Sequence, residues 1–232
     1  MNQDPFSFLP RDEVLFLDTC AFSLSVEDMV KMGLNMDEDH WGGQDRDSIL
    51  EELARLNVLE RRLRGQDNWL VNEGVLYEFD KGNQKLGYRS NDKRNPSMGH
   101  ALHSLLCKRK KIIRLLESPE RNVSNPDNQY PDFESDFQRT SEYVTPIFLG
   151  YGGNLTSLNA DTGLISGALV YAQSSPTYLF SHDYPLLRTF AECAVAQGDF
   201  LEPTYVCLEG SGVAMRTNEF FELNKHRKNN SA

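Results

Sequence analysis

The stretch from Ser157 to Leu187, SLNADTGLISGALVYAQSSPTYLFSHDYPLL, predicts a helix followed by a strand. Apolar side chains recur at helical spacing after Asp161, Ser-Ser-Pro then interrupts the pattern, and residues 177–180 form a short apolar run typical of a buried strand. We expect Asp161 at the helix start, where short polar side chains cap backbone donors, and Asp183 just past the carboxyl end of the strand. This unit therefore delivers two aspartates to one end of a parallel sheet.

The first eighty residues contain two more acidic side chains that we expect near the ends of strands. Residues 13–17, EVLFL, form a strand that runs directly into Asp18. A second predicted strand at 69–71 leads into a helix from Gly74 that carries Glu78. Glu73, just before this helix, is a weaker rival to Glu78. We therefore expect four acids, taken from separate parts of the chain, to approach one another.

This order of strands, helices and acids resembles the PIN-domain nucleases, over roughly residues 12–80 and 157–208. The resemblance implies a three-layer α/β/α sandwich with a central parallel sheet, and one domain over residues 1–232. Residues 82–153 have no counterpart in the compact pattern of that family. We predict a largely helical insertion there.

The resemblance implies a metal-dependent endoribonuclease that hydrolyses RNA phosphodiester bonds. Clustered carboxylates repel one another, and a bound Mg²⁺ or Mn²⁺, which prefers oxygen ligands, is the usual reason for such a cluster. The predicted catalytic and metal-binding residues are Asp18 and Asp161 as direct ligands, Asp183 as ligand or water orienter, and Glu78 as ligand or outer-shell base. Thr19 and Ser181 are expected to orient carboxylates.

Several other functions fit part of the pattern. A haloacid-type phosphohydrolase would place a second aspartate two residues after Asp18, where this chain has Cys20, and a receiver domain would need a lysine after a late strand. A PIN-like DNA or flap nuclease shares the expected architecture. An idle PIN-like scaffold that binds RNA or protein is the non-enzymatic alternative, and metal-dependent cleavage of bare RNA would exclude it.

Charge is distributed unevenly along the chain. The total net charge is -10, yet residues 81–114 contain ten Lys or Arg and one acid, a local net charge of +9 that leaves -19 for the rest. Phosphate binding depends on Lys and Arg, so we predict nucleic-acid contacts from this segment. We predict that these contacts are made by Lys108, Arg109, Lys110 and Lys111. The alternative is that the basic segment pairs with the acidic body of the same molecule.

The sequence also leads to expectations about localisation, cysteines and binding partners. No apolar run approaches the ~20 residues that span a bilayer, and the N-terminus resembles no secretory signal, so we expect a cytoplasmic protein with no membrane partner. The four cysteines lack paired spacing and are expected to be reduced thiols. The expected substrate is RNA; an antitoxin-like inhibitor protein, a larger RNA-processing assembly and a homodimer remain open as partners.

The remaining pattern predicts the other elements. The expected helices are 47–64, with Glu51, Glu52 and Glu60 on its solvated face, 97–116 and 187–196, and the last strand is 204–208. Loops are expected at 33–47, at 85–94 and at 118–141, with a short apolar element at 143–149.

Overall fold

The computed structural model describes residues 6–21, 44–90, 96–121, 123, 132–155, 158–208 and 212–225. Within these ranges the strands are β1 (Val14–Leu17), β2 (Trp69–Leu70), β3 (Thr177–Ser181), β4 (Thr204–Leu208) and β5 (Ala214–Arg216). The helices are α1 (Gln44–Arg64), α2 (Glu73–Ser90), α3 (Pro96–Leu116), α4 (Phe133–Gly150), α5 (Leu158–Tyr171), α6 (Tyr184–Gln197) and α7 (Thr217–Asn224).

The strands form one sheet in the order β2-β1-β3-β4-β5. β1 pairs in parallel with β2 and β3, β3 pairs in parallel with β4, and β5 runs antiparallel to β4. The predicted α/β class with a mostly parallel central sheet is confirmed, and the helices around it are compatible with three layers. The strand at 204–208 is confirmed in its bounds, but β5 follows it, so the prediction that it is the last strand is wrong.

The strand order reverses beside β1. From β1 the chain passes to β2 on one side, and it later returns to β3 on the other side. Parallel α/β sheets open a crevice at such a switch point, outside the carboxyl ends of the two central strands. Asp18 directly follows β1, and Ser181 is the last residue of β3. The fold thus places both residues at the rim of this crevice.

Helix α5 is enclosed by other elements along most of its length. Residues 160–170 are all buried, and α5 packs against α4, α6 and the sheet. The Phe16 ring lies 5.5 Å from the Tyr171 ring, and a Cβ on Gly167 would lie 2.9 Å from Phe16. A helix with apolar or small residues on every side requires such surroundings. The Ala- and Gly-rich sequence of α5 therefore allows close packing on the sheet.

Residues 82–153 are largely helical where the structure describes them. The predicted loop at 85–94 is wrong for 85–90, which belong to α2, and 91–94 lie outside the described residues. The predicted loop at 118–141 is wrong from residue 133, where α4 begins, and the short element expected at 143–149 is part of the same helix. The polar composition of 118–141 predicted a loop, whereas α4 runs from residue 133 through 143–149 and contains Pro146, a residue that normally interrupts a helix.

The predicted loop at 33–47 falls mostly outside the described residues. Residues 44–47 are helical because α1 begins at Gln44, and 33–43 are not described.

Charged side chains attach α3 to the two helices that precede it. Lys108 forms an ion pair with Glu60 of α1. The Nε of Arg109 donates to the Asn83 Oδ1 of α2 at 2.7 Å, and its guanidinium carbon lies 4.1 Å from the centre of the Phe79 ring. Arg109 is only 3% exposed. The basic helix is therefore bound to the body of the protein through part of its own positive charge.

The acidic residues of α1 divide between solvent and interior. Glu51 is exposed, as predicted. Glu52 is 5% exposed and binds the Arg55 guanidinium through both carboxylate oxygens, at 2.7 and 2.9 Å. Lys108 holds the pKa of Glu60 below its usual value. The prediction of a solvated face is therefore wrong for Glu52 and Glu60, since both have cationic partners.

All four cysteines are free thiols, as predicted: Cys20, Cys107, Cys193 and Cys207. Across the part of the chain that the structure describes, no helix is both long and apolar enough to cross a membrane.

A glycine substitution tests the packing between α2 and α5. A Cβ on Gly74 would lie 2.6 Å from the Cα of Ala160, so we expect Gly74→Ala to lower the free energy of unfolding by about 1–3 kcal/mol. Gly87 of the same helix is the control, because its nearest neighbour would be Leu106 Cδ2 at 3.7 Å. Gly87→Ala should raise the free energy of unfolding by roughly 0.5–1 kcal/mol, because alanine favours a helix over glycine. Urea denaturation measures both; equal effects would contradict the close approach.

Candidate functional site

Asp18 is fixed at the carboxyl end of β1 by two donors. The Ser181 hydroxyl of the neighbouring strand donates to Asp18 Oδ2 at 2.6 Å. The Thr19 backbone N–H donates to Asp18 Oδ1 at 2.6 Å. The aspartate is only 7% exposed. Because these donors bind both carboxylate oxygens, the structure sets the orientation of the group as well as its position.

Glu78 joins this cluster through Thr19. The Thr19 hydroxyl donates to Glu78 Oε2 at 2.8 Å, so one residue contacts two carboxylates, one with its backbone and one with its side chain. Glu73, the rival, is exposed in the first turn of α2. Thr19 thus links Glu78, and not Glu73, to Asp18, while the role of Glu78 as metal ligand or base stays a prediction.

Asp183 lies past the carboxyl end of β3, as predicted, and caps helix α6. Its carboxylate accepts a long hydrogen bond of 3.5 Å from the Leu186 N–H. Its own backbone N–H donates to the Ser181 hydroxyl at 2.8 Å. Ser181 therefore accepts from the backbone of one aspartate and donates to the side chain of another. The expected orienting roles of Thr19 and Ser181 agree with these hydrogen bonds.

The carboxylates affect one another's protonation. Burial raises the pKa of Glu78, and the charge of Asp18 raises it further, while the Thr19 hydrogen bond and Lys81 oppose the rise. Burial likewise raises the pKa of Asp183, with Asp18 adding to the rise and the Leu186 N–H and His182 opposing it. Asp18 therefore lies within electrostatic range of both other acids.

Asp161 reaches the same end of the sheet from helix α5. It is 6% exposed and lies in the first turn of that helix, so the prediction that it caps the helix is wrong. The preceding residue, Ala160, contacts Gly74 of α2, and its carbonyl accepts from Asn72 Nδ2 at 2.8 Å. Glu78 lies one helical turn beyond Gly74. The starts of α2 and α5 are thus joined, and each carries one of the predicted acids.

The acids have the chemistry of metal ligands, but they are not arranged as a metal site. Carboxylate oxygens are the ligands that Mg²⁺ and Mn²⁺ prefer. Among the described residues, however, no three or more His, Cys, Asp or Glu side chains are grouped so that they could hold an ion. Asp18 Oδ2 and Glu78 Oε2 instead accept from hydroxyl groups. The chemistry of the acids fits a divalent cation, whereas their present arrangement is not a preformed site.

Three supporting residues were not predicted. Asn72 caps α2, with its Oδ1 accepting from the Val75 N–H at 2.9 Å, while its amide reaches Ala160. Arg55 Nη1 donates to the Ala21 carbonyl at 3.0 Å and so holds the turn that follows Asp18. Cys20 Sγ accepts from the His182 N–H. An asparagine directly before a helix is a capping signal that could have identified Asn72.

The basic cluster on α3 is split between interior and surface. Arg109 is buried against Phe79 and Asn83, so its prediction as a phosphate-binding residue is wrong. Lys108 is paired with Glu60, which agrees with the alternative that the basic segment contacts the acidic body. Lys110 and Lys111 are exposed. They are the members of the cluster that solvent, or a ligand, can reach directly.

Comparison of the chain with protein-family profiles, with curated proteins and with solved structures finds no match.

The raised pKa values predict how stability depends on pH. Between the ordinary and the raised pKa the folded protein binds more protons than the unfolded chain, so the free energy of unfolding should fall as the pH rises from about 4 towards neutrality. Glu78→Gln should flatten this fall and raise the melting temperature at neutral pH. Glu73→Gln, in the same helix, is the control and should leave the slope unchanged. Thermal melts in metal-free buffer measure both, and an identical slope in Glu78→Gln would show that the pKa of Glu78 is not raised in the folded protein.

Proposed function

We propose that this protein is a divalent-metal-dependent endoribonuclease with a PIN-like three-layer fold. The observation that carries the proposal is that Thr19 links Asp18 to Glu78 and Ser181 links Asp18 to Asp183 at the switch point of the sheet, where burial and, to a smaller extent, the charge of Asp18 raise the pKa of Glu78 and Asp183. Asp161 approaches the same end from α5. Buried like charges are costly, and proteins retain them mainly where a function uses them.

The acids and their hydroxyl partners have separable roles. When bound, Mg²⁺ or Mn²⁺ supplies an activated water and neutralises charge on the phosphate. Asp18 and Asp161 would be its direct ligands, with Asp183 as a further ligand or as the group that orients water. Thr19 and Ser181 hold the Glu78 and Asp18 carboxylates in place when no ion is present.

Glu78 is the best candidate for the base. Its raised pKa brings it closer to neutrality than an exposed glutamate, which makes it a better proton acceptor at working pH. In the proposed reaction a water oxygen forms a bond to phosphorus, and the proton from that water passes to the Glu78 carboxylate. The ester P–O bond breaks, and the leaving oxygen takes up a proton from solvent to become a hydroxyl group. The products are two RNA strands, one ending in a phosphate.

The decisive experiment compares RNA and DNA as substrates. Purified protein is incubated with single-stranded and structured RNA and DNA in Mn²⁺, Mg²⁺ or EDTA, and the fragments are separated on a denaturing gel. We expect RNA fragments with either metal and none with EDTA. Cleavage of DNA alone would favour a DNA or flap nuclease, and binding without any cleavage would favour an idle scaffold.

Asp18→Asn should abolish both cleavage and stabilisation by metal. Loss of an outer-shell partner alone typically costs 10–100-fold, so removal of a direct ligand should lower the rate by more than about 100-fold. Wild-type protein should gain about 2.7 kcal/mol of unfolding free energy at a Mn²⁺ concentration 100 times the dissociation constant, and Asp18→Asn should not. Glu73→Gln is the charge-matched control. Retained cleavage by Asp18→Asn would disprove the assignment.

Lys110 and Lys111 should contribute electrostatic binding. Each contact with a single-strand phosphate contributes roughly 0.7 to the slope of log affinity against log salt, so the Lys110→Ser, Lys111→Ser double variant should lower that slope by about 1.4. Lys108→Ser removes a charge from the same helix, but one that is paired with Glu60. Its slope should remain close to wild type. An unchanged slope in the double variant would exclude α3 from the RNA surface.

A further inference from the structure

The exposed side of α2 next to Glu78 carries an aromatic ring and a cation. Tyr77 immediately precedes Glu78 and is 70% exposed, although the next aromatic residue of the helix, Phe79, is fully buried. Lys81 follows one turn later and is also exposed. An exposed aromatic residue is ordinary by itself, so its position must be considered together with the carboxylates.

Helix geometry places these residues beside one another. Side chains three and four positions apart are neighbours on a helix surface, so Lys81 is adjacent to both Tyr77 and Glu78. The charge of Lys81 also opposes the rise in the pKa of Glu78, which places the ammonium group within electrostatic range of that carboxylate. Gly74, on the turn before, contacts Ala160 at the start of α5. The ring and the cation therefore border the side of α2 from which Glu78 reaches the acidic cluster.

The two side chains match the two parts of a nucleotide. A base has an apolar face that stacks on an aromatic ring, and its phosphate carries the charge that a lysine binds. A base in a duplex is already stacked on its neighbours, so only an unpaired base can use an exposed tyrosine in this way. The acidic cluster repels phosphates, and a cation within reach of Glu78 reduces that repulsion for a strand entering the site.

We propose that Tyr77 and Lys81 bind the nucleic-acid strand beside the catalytic acids. Tyr77 stacks on an unpaired base that flanks the scissile bond, and Lys81 binds an adjacent phosphate. This inference rests on the proposed nuclease function and adds its substrate requirement, an unpaired base next to the cleaved bond. Thr19 and Ser181 hold the acids in place, whereas Tyr77 and Lys81 select and position the strand.

The test measures binding without cleavage. Fluorescence anisotropy in EDTA gives the dissociation constant of a labelled 12-nucleotide single-stranded RNA for wild type, Tyr77→Phe and Tyr77→Ala. Stacking is worth about 1–3 kcal/mol per base, so Tyr77→Ala should weaken binding roughly tenfold, while Tyr77→Phe should remain within about twofold of wild type. The control is Phe200→Ala, which removes an 84% exposed ring from the turn after α6.

Two further measurements separate stacking from charge. RNA with abasic sites, or RNA annealed to its complement, should bind wild type and Tyr77→Ala equally. Lys81→Ser should lower the salt slope by roughly 0.7, and Lys225→Ser, which removes an exposed lysine from the end of α7, should leave it unchanged. Melting curves verify that each variant is folded, as expected for exposed positions.

The outcomes distinguish this inference from the proposed function. If wild type cleaves RNA and Tyr77→Ala binds and cleaves equally well, the strand-binding role of Tyr77 is wrong and the nuclease proposal stands. If binding depends on Tyr77 but no metal supports cleavage, the nuclease proposal is wrong. An equal loss of affinity for abasic and intact RNA in Tyr77→Ala would also overturn the stacking role.

Discussion

The Ser181 hydroxyl connects the two central strands at the point where the whole site is built. It donates to Asp18 at the end of β1 and accepts from the Asp183 N–H at the start of α6. β1 is paired with β3 along its full length, from Val14↔Thr177 to Leu17↔Phe180, so the separation of these groups is set by the sheet. Strand pairing thereby determines the separation of two of the acids, and only the directions of their side chains are left to local hydrogen bonds.

Neutral hydroxyl donors hold the Asp18 and Glu78 carboxylates, while Arg55 and Arg109 have other partners. Arg55 is bound to Glu52 and to the Ala21 carbonyl, and Arg109 to Asn83 and Phe79. An arginine bound to Asp18 would bring a positive charge that offsets the effect of this carboxylate on Glu78 and Asp183. Thr19 and Ser181 instead orient carboxylates without adding a positive charge. In the proposed function, the negative charge left at the cluster is what attracts a divalent cation.

Part of this arrangement is predictable from sequence because it depends on short-range patterns. An apolar strand that ends on an aspartate places Asp18, and the same logic places Asp183 after β3. Glu78 follows because a helix begins soon after a strand. These positions are set by strand–helix order and by the parallel sheet. The contacts of Asn72 with Ala160 and of Arg55 with Ala21 join residues 88 and 34 positions apart, and no local pattern indicates them.

The wrong predictions of helices, strands and solvent-exposed acids also have specific physical causes. Pro146 is tolerated within α4, where the buried residues Phe133, Val144 and Phe148 lie on one side of the helix. β5 has three residues, too few to show the alternation that identifies a strand. Glu52 and Glu60 belong to a pattern typical of a solvated face, but their partners come from the same helix and from α3. Sequence periodicity locates a polar face without showing whether another charged element covers it.

The basic segment has two separate physical effects on the proposed site. Four consecutive cations on a helix point in different directions, so Lys108 and Arg109 face α1 and α2 while Lys110 and Lys111 face solvent. Lys108 pairs with Glu60 of α1, whereas Arg109 lies over the ring of Phe79 in α2, the residue directly after Glu78. Of these four cations, Lys110 and Lys111 are the exposed pair that a ligand can reach directly. The local charge of +9 therefore overstates the charge available for binding RNA in the proposed function, because part of it pairs with other helices of the same protein. On that proposal, strand binding would depend more on contacts close to the acids, where Lys81 and Tyr77 lie.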